Sequence, residues 1–312
     1  ENNDPFYLHY LLSTQQLNRK AAGSGQPLIN QEILNSIEVK VPPLSEQKAI
    51  AAIISCFDDK IELLRRQNKT LESIAQAIFK EWFVKFKVNG QKLKINKQIG
   101  LPEGWRIGNL GELIEFINGY AFKSSDLLDK PTTDCYKIFK MGNIKKGGGF
   151  EPSKTKSFIK KDQYFGQEKH ILRKGDLLMS MTDMKDAISL LGHTALMTSD
   201  NEYVVNQRVG LIRASNDLNI GYPFLYLLTN SAEFLGKLRG KAHSGVQVNL
   251  STSAIKRMPI VIPEKLVNIN FSHLIKPIFE KVASNLSQIQ TLSKLRDTLL
   301  PKLMKGEIRI KT

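Results

Sequence analysis

Two aspartates and a lysine are the residues in this sequence whose spacing most resembles a catalytic site. Asp176 is followed by Asp183, Met184 and Lys185, which gives an acidic–acidic–x–Lys arrangement. Such a set can hold Mg²⁺ and position a lysine for the cleavage of a phosphodiester. Asp176 also follows Gly175 and fits a turn that enters a strand. A Mg-dependent endonuclease is therefore kept only as an alternative function.

Other catalytic motifs are missing from the sequence. An adenine methyltransferase requires Asn or Asp, two prolines and an aromatic residue in succession, whereas the sole Pro-Pro pair, Pro42-Pro43, follows Val41. There is no Gly-x-x-x-x-Gly-Lys-Ser/Thr phosphate loop, and the five histidines lack metal-ligand spacing. Cys56 and Cys135 are the only cysteines, which excludes a disulfide scaffold and suits a reducing cytoplasm. We therefore expect a non-enzyme without a metal or cofactor of its own.

The charge of the chain favours nucleic acid as a partner. Lysine and arginine total 45 against 30 acidic residues, a net charge of +15. An excess of this size attracts DNA through counterion release. Residues 101–263 hold a lysine-rich stretch around Gly147, Gly148 and Gly149 that either contacts phosphates or is a solvated basic loop. Its members are Lys145, Lys146, Lys154, Lys156, Lys160 and Lys161, and Lys123 is added to the candidate DNA contacts.

Three loops carry polar side chains suited to base edges. Amides can pair with adenine and basic side chains with guanine in the major groove. The loops are residues 182–185, 206–208 and 241–249. The candidates for DNA binding are Thr182, Lys185, Gln207, Arg208, Lys241, His243, Ser244, Gln247 and Asn249.

The chain repeats itself after about 220 residues. Residues 6–14 (FYLHYLLST) resemble 222–230 (YPFLYLLTN), and 39–42 (VKVP) resemble 260–263 (IVIP). Chance similarity of apolar segments is the alternative explanation. The second copy is complete from Leu101, while the first has only its final part, so we expect that roughly 120 residues of the first copy lie upstream.

Each repeat ends in a long helix with apolar residues at heptad spacing, which is typical of a coiled coil. Asn68 interrupts one seam and Asn285 the other. If the two helices run antiparallel and the midpoints of their seams are aligned, the two asparagines face each other in one buried layer. The alternative is that they are two unrelated, exposed amides. Pro277 and Pro301 are expected to bend or frame the second helix locally. The seams are Ile50, Ile54, Phe57, Ile61, Leu64, Asn68, Leu71, Ala75, Ile78 and Trp82, and Phe271, Ile275, Ile278, Val282, Asn285, Ile289, Leu292, Arg296, Leu299 and Leu303.

These patterns predict an α+β protein: a mixed α/β domain plus two long antiparallel coiled-coil helices. A helix of this length spans about 50 Å, or about 15 base pairs, and would act as a ruler between two DNA half-sites. A coiled-coil scaffold that does not bind DNA is the other alternative. No apolar run approaches the ~20 residues of a membrane span. The predicted domains are 1–45 (end of a truncated first domain), 46–86 (central helix), 87–100 (linker), 101–263 (second domain), 264–305 (second helix) and 306–312 (tail).

Taken together, the motifs resemble the specificity subunit of Type I restriction–modification systems. The resemblance implies two target-recognition domains, each reading half of a bipartite DNA site, held apart by an antiparallel helical spacer. It also implies docking of two methyltransferase subunits and of restriction–translocase subunits, which would hold the S-adenosylmethionine, ATP and Mg²⁺. The shortened first domain implies either an absent segment or completion by a second copy. The segments are 41–47 (VPPLSEQ), 101–105 (LPEGW), 110–113 (LGEL), 118–123 (NGYAFK), 141–144 (MGNI), 174–180 (KGDLLMS) and 299–308 (LLPKLMKGEI).

Overall fold

The computed structural model describes residues 3–15, 17, 28–184, 188–215, 220–242 and 247–310, with the backbone alone at Gln247. The chain divides into two compact units, Glu1–Thr70 with Ser284–Thr312, and Leu71–Ala283. Both long helices contribute residues to each unit. The described part of the chain holds no helix that is both long and apolar enough to cross a membrane.

The helices follow the predicted order. The two long ones are continuous over 36 and 40 residues, and the second runs through both Pro277 and Pro301. A short π-helical segment, Lys80–Val84, extends the first. The helices are α1 (Pro5–Thr14), α2 (Gln31–Asn35), α3 (Leu44–Phe79), α4 (Tyr222–Thr229), α5 (Ala232–Arg239), α6 (Thr252–Lys256) and α7 (Lys265–Met304).

The strands found among the described residues are short and lie in the unit Leu71–Ala283. Mixed helices and strands beside long helices confirm the predicted α+β class. The strands are β1 (Lys87–Val88), β2 (Gln91–Lys92), β3 (Ile95–Asn96), β4 (Leu101–Pro102), β5 (Arg106–Asn109), β6 (Ile114–Asn118), β7 (Cys135–Phe139), β8 (Phe158–Lys160), β9 (Leu177–Ser180), β10 (Thr182–Met184), β11 (Thr194–Leu196), β12 (Tyr203–Val205), β13 (Val209–Ala214), β14 (Gln247–Asn249) and β15 (Pro259–Ile262).

The centre of this unit is a four-stranded antiparallel sheet in the order β11-β9-β13-β6. A second sheet, β12-β7-β8, joins a parallel pair to an antiparallel pair. Strand β9 is buried along its whole length, as expected of a central strand with both faces covered. Four two-stranded pairs, β1–β2, β3–β4, β5–β15 and β10–β14, complete the described part of this unit.

Apolar residues of α3, α4 and α7 meet in the main core of this unit. Trp82 at the end of the first seam contacts Phe271 at the start of the second, with ring centroids 5.6 Å apart. Phe79 and Phe83 pack on Phe224 of α4. The antiparallel pairing of the seams predicts the contact between Trp82 and Phe271.

The predicted linker 87–100 contains regular structure. Strands β1 and β2 form a hairpin that pairs Val88 with Gln91. Its two turn residues, Asn89 and Gly90, have φ angles of +50° and +81°, as in the type I′ turns that favour Asn-Gly. The Asn-Gly pair was therefore a hairpin signal that the interpretation as a linker missed.

The other unit is built on the beginning of α3 and the end of α7. Tyr7, Tyr10 and Leu11 of α1 pack with Ile50 and Ile54 of α3 and with Leu303 and Met304 of α7. Helix α1 thus covers the seam here, just as α4, its counterpart in the repeat, covers the seam in the other unit. Both copies bury a short apolar helix on the paired long helices.

The repeat extends to matched helix caps. The Asn30 side chain accepts a hydrogen bond from the Ile33 amide at the start of α2, and the Ser251 side chain accepts one from the Ala254 amide at the start of α6. Each cap satisfies one of the free N–H groups in a first helical turn. Agreement at this level makes chance similarity a poor explanation of the repeat.

Asn68 and Asn285 lie in one buried layer of the seam. The Asn285 Nδ2 donates a hydrogen bond of 2.8 Å to Asn68 Oδ1, and both side chains are buried. Asn285 Nδ2 also lies 3.4 Å from Gln67 Oε1. A slip of either helix would leave an amide in an apolar layer, so this pair favours one register.

Arg296 departs from the apolar seam, and the structure shows how it is accommodated. Its guanidinium reaches Asp58 of α3, with Nη1 2.6 Å from Oδ1. The other carboxylate oxygen of Asp58 accepts a hydrogen bond of 2.8 Å from the Tyr10 hydroxyl. The arginine thus joins α7, α3 and α1 through one aspartate.

Replacing one member of the amide pair should cost more than replacing both. Asn68→Leu leaves the buried Asn285 amide without this acceptor, so we expect the free energy of unfolding to fall by about 1–3 kcal/mol. The Asn68→Leu/Asn285→Leu double variant should recover most of that loss, because no amide is stranded. Denaturant unfolding of the three proteins measures this, and additive losses in the double variant would contradict the pairing.

Candidate nucleic-acid interface

Two of the predicted DNA-reading segments pair with each other. Strand β10 lies antiparallel to β14, with Thr182 opposite Asn249 and Met184 opposite Gln247. These strands come from parts of the chain more than 60 residues apart, and no pattern in either segment indicates that they meet. Together they form a two-stranded ribbon.

The two faces of the ribbon differ. Side chains alternate across a strand, and Val248 points into the core while its neighbour Asn249 is exposed. Met184 is 56% exposed. Thr182 is half-buried and donates a hydrogen bond from its hydroxyl to Met141 Sδ at 2.9 Å. The outward face therefore presents polar and flexible side chains.

The third predicted loop lies at the base of the ribbon. The amide of Met181, just before β10, donates to the Arg208 carbonyl at 3.2 Å, and the Leu250 amide, just after β14, donates to the Met181 carbonyl at 2.9 Å. The Gln207 amide donates to the Tyr120 carbonyl. The Gln207 and Arg208 side chains are exposed, so a short turn adds an amide and a guanidinium to the same surface.

The Asp183 carboxylate accepts hydrogen bonds from three backbone amides. Its Oδ2 accepts hydrogen bonds from the amides of Leu190 at 2.6 Å and Leu191 at 3.2 Å, and its Oδ1 accepts one from Met184. These bonds engage the carboxylate that the nuclease interpretation would have assigned to Mg²⁺.

Asp176 is also engaged in the fold. Arg213 donates to both of its carboxylate oxygens, at 2.9 and 3.0 Å. Asp176 precedes β9 and Asp183 lies beyond its other end. Across the described residues, no group of three or more His, Cys, Asp or Glu side chains is arranged to hold a metal. The structure gives no support to the endonuclease alternative.

The glycine-rich stretch is a tight, anchored turn. Lys145 and Gly149 are joined by a backbone hydrogen bond, and the Gly149 amide donates to the Thr194 carbonyl. Gly148 has a φ of +95°, and a Cβ there would lie 2.6 Å from Asn230 Oδ1. A side chain does not fit at this position, so the turn holds the exposed Lys145 and Lys146 on a defined backbone.

Asn230 organises the buried side of that turn. Its Nδ2 donates to Thr194 Oγ1 at 2.7 Å and to the carbonyls of Thr194 and Tyr226. Its Oδ1 accepts from the Thr194 amide at 3.0 Å and lies 3.3 Å from His193 Nδ1. Burial lowers the pKa of His193, partly offset by this contact with Asn230. The segment 190–194 thus links the Asp183 contacts of the ribbon to the lysine turn.

Glu72 of α3 lies beneath the same turn. Burial raises the pKa of its carboxyl, and the positive charge of Lys145 opposes part of that rise. A Cβ on Gly149 would be 3.9 Å from the Glu72 carboxylate and 3.7 Å from the Tyr226 hydroxyl. A partly desolvated acid therefore lies close to a lysine proposed to contact phosphate.

The remaining candidate lysines differ in their surroundings. Lys161 lies beyond β8, whose last residue pairs with Cys135, and it forms an ion pair of 2.7 Å with Asp134. Six further candidate lysines are exposed, and no described carboxylate lies within ion-pair distance of them. They are Lys123, Lys146, Lys154, Lys156, Lys160 and Lys241.

One family of known proteins matches most of this chain. The profile of the family described as the Type I restriction modification DNA specificity domain matches residues 1–73 and 102–293. The chain belongs to this family. The match confirms the identification from sequence motifs, and with it the expectation of a non-catalytic recognition subunit.

Individual relatives agree with this assignment. The MjaIX specificity subunit of Methanocaldococcus jannaschii is 28% identical, over 97% of this chain and 69% of its own length. The HindI specificity subunit of Haemophilus influenzae is 27% identical, over 90% and 71%. The crystal structure of the S subunit from M. genitalium is similar in fold, with a TM-score of 0.58, 16% identity and coverage of 97% of this chain and 73% of that one.

Some predicted contacts of the specificity chain are not placed by the structure. Lys185, His243 and Ser244 lie outside the described residues, and only the backbone of Gln247 is described. Sequence reasoning also missed Asn230 and the anchoring role of Asp183. Asn230 directly follows an apolar helix, where asparagine is common as a cap, but its contacts with residues 193–194 depend on the tertiary fold.

Asn230→Ala should loosen the lysine turn of the specificity chain. It removes the acceptor of the Thr194 amide in a buried site, so we expect a loss of roughly 1–3 kcal/mol in the free energy of unfolding. Denaturant unfolding measures it, with the exposed amide variant Gln98→Ala as the control. Equal stability of Asn230→Ala and Gln98→Ala would rule out this role.

Glu72→Gln should stabilise the specificity chain at neutral pH. A raised carboxyl pKa means that the folded state binds its proton more tightly, so stability falls as pH rises from the ordinary value of 4.5 through the raised one. The variant removes this cost, and its advantage at pH 7 should disappear by about pH 4. Unfolding at both values tests this, with the exposed Glu233→Gln as a control. An advantage independent of pH would contradict the assignment.

Proposed function

We propose that this chain reads one half-site of a DNA target by placing the β10–β14 ribbon in the major groove. The groove admits a two-stranded ribbon. The observation that carries the proposal is the convergence of Asn249 on the ribbon with Gln207 and Arg208 at its base. Amides suit adenine and guanidinium groups suit guanine, so this surface has the donors and acceptors that sequence reading requires.

Backbone contacts would come from the lysine turn. Lys145 and Lys146 stand on a turn that hydrogen bonds and a steric limit at Gly148 hold in place. Lys154 and Lys156 are exposed nearby in sequence, and the Thr155 hydroxyl between them accepts a hydrogen bond from Asn143. Lysines on an anchored backbone can neutralise phosphates and set the position of a domain without reading sequence.

The same proposal includes the partners expected from the family resemblance. Two methyltransferase subunits would add the methyl group, and restriction–translocase subunits would move and cut DNA. These partners would supply S-adenosylmethionine, ATP and Mg²⁺. A second recognition domain, upstream or on a second copy, would read the other half-site, and the internal repeat supports this. Since the substrate is bacterial or invading DNA, the complex would work in the cytoplasm.

Co-expression with the partner methyltransferase and mapping of methylated adenines tests the function. Asn249→Ala and Arg208→Ala should change which sequences are methylated, because each removes a side chain from the reading surface. Lys146→Ala should weaken binding to all sequences alike and reduce the slope of log affinity against log salt by about 0.9.

Three outcomes would contradict the proposal. Binding that ignores DNA sequence at every salt concentration would favour a coiled-coil scaffold. Cleavage of DNA by the isolated chain with Mg²⁺ would revive the endonuclease. An unchanged methylation pattern in both Asn249→Ala and Arg208→Ala would remove the ribbon from the reading surface.

A further inference from the structure

We propose that Phe165 is a wedge that stacks on or inserts between DNA bases when the specificity chain binds its target. This inference rests on the proposed function and adds a contact that the sequence motifs did not point to. Apolar wedges that unstack one base step are a recurrent means of bending DNA. The argument depends on how Phe165 is presented and on what lies beside it.

Phe165 is 85% exposed, more than any other large apolar side chain reported as exposed in the described part of the chain. Single exposed apolar residues are common on protein surfaces, so exposure alone decides nothing. What distinguishes Phe165 is that its backbone is held rigidly while its ring is left in water.

The loop around Phe165 is locked by its neighbour Tyr164. The Tyr164 hydroxyl donates to the Gln167 carbonyl at 3.1 Å, which closes the loop. The Tyr164 ring covers Gly166 so closely that a Cβ there would lie 2.3 Å from the ring and its hydroxyl. A side chain at 166 would displace the Tyr164 ring, so glycine at this position lets the loop close with Phe165 at its tip.

Tyr164 is in turn held by an aromatic cluster. Its ring packs edge-on against Tyr136 at 5.5 Å and Tyr120 at 5.8 Å, and stacks with Phe122 at 6.1 Å. A rigid platform lowers the entropic cost of presenting a side chain to a ligand. This arrangement suits a stacking residue better than a loop that is merely solvated.

The cluster connects the Phe165 loop to the reading surface. The Tyr120 ring contacts Tyr164. The backbone carbonyl of Tyr120 accepts a hydrogen bond from the Gln207 amide at the base of the ribbon. Lys123 follows Phe122 directly and is exposed. Lys160 and Lys169 flank the loop together with the acidic Asp162 and Glu168. These contacts place the aromatic cluster next to the turn that carries Gln207 and Arg208, so DNA bound at that turn is the occupant that the position of the cluster favours.

The test uses the full chain and a duplex that carries its mapped target, with 2-aminopurine placed at successive positions. Wild-type protein should raise the fluorescence at one step, because unstacking relieves quenching. Phe165→Ala should abolish that rise and weaken binding by between about five- and 150-fold, the range measured for loss of a base–aromatic stack. Phe165→Trp should retain both properties.

Ile107→Ala is the matched control, since Ile107 is 67% exposed and lies on β5, outside the reading surface. It should bind and unstack DNA as the wild type does. Thermal unfolding of each variant checks that the fold is intact.

Two results overturn the wedge: wild-type affinity and fluorescence in Phe165→Ala, or fluorescence that stays flat at every position in the wild-type complex. Loss of co-purifying methyltransferase with unchanged DNA binding would assign Phe165 to a protein contact and also overturn it. A wild-type chain that shows no sequence preference in the methylation assay would instead refute the proposed function.

Discussion

The seam between the two long helices depends on one polar layer, in which Asn285 donates a hydrogen bond to the buried Asn68. Apolar layers tolerate a shift of register because one leucine or isoleucine packs much like the next. A buried amide does not, since its desolvation is compensated only opposite its partner. The pair thus converts a general tendency of two amphipathic helices to associate into one antiparallel alignment, and Trp82 meeting Phe271 in the other unit agrees with it.

At the candidate DNA interface, too, a few polar contacts position several elements at once. The amides of Leu190 and Leu191 donate hydrogen bonds to Asp183, and the Thr194 amide donates one to Asn230. The side chains proposed to read bases and those proposed to hold phosphates are therefore positioned by one short buried stretch. Both functions need defined geometry relative to the same duplex, because a reading residue displaced from its groove loses its partners. This shared role explains why polar residues such as Thr194 and Asn230 are buried here, where an apolar core would not need them.

Some charged side chains of the recognition domain are held in ion pairs, and others are exposed without one. Asp176 is buried and paired with Arg213, whereas Lys161 forms an exposed ion pair with Asp134. Lys145 and Lys146 remain exposed on a rigid turn, and Glu72 lies beneath the turn with its pKa raised by burial. Counting charges in the sequence could indicate a DNA-binding protein, but the ion pairs decide which charges are available to DNA.

Periodicity and motifs alone were enough to predict the helices, their antiparallel alignment, the internal repeat and the family. Those features are written in local periodicity and in short ordered motifs, and Asn68 and Asn285 stood out because they break an apolar heptad. The folded chain adds that Thr182–Met184 pairs with Gln247–Asn249, that Asn230 supports the lysine turn and that Lys161 forms an ion pair with Asp134. Each of these depends on segments far apart in the chain meeting in space, and the pairing partner of a short strand leaves no periodic trace in its own sequence.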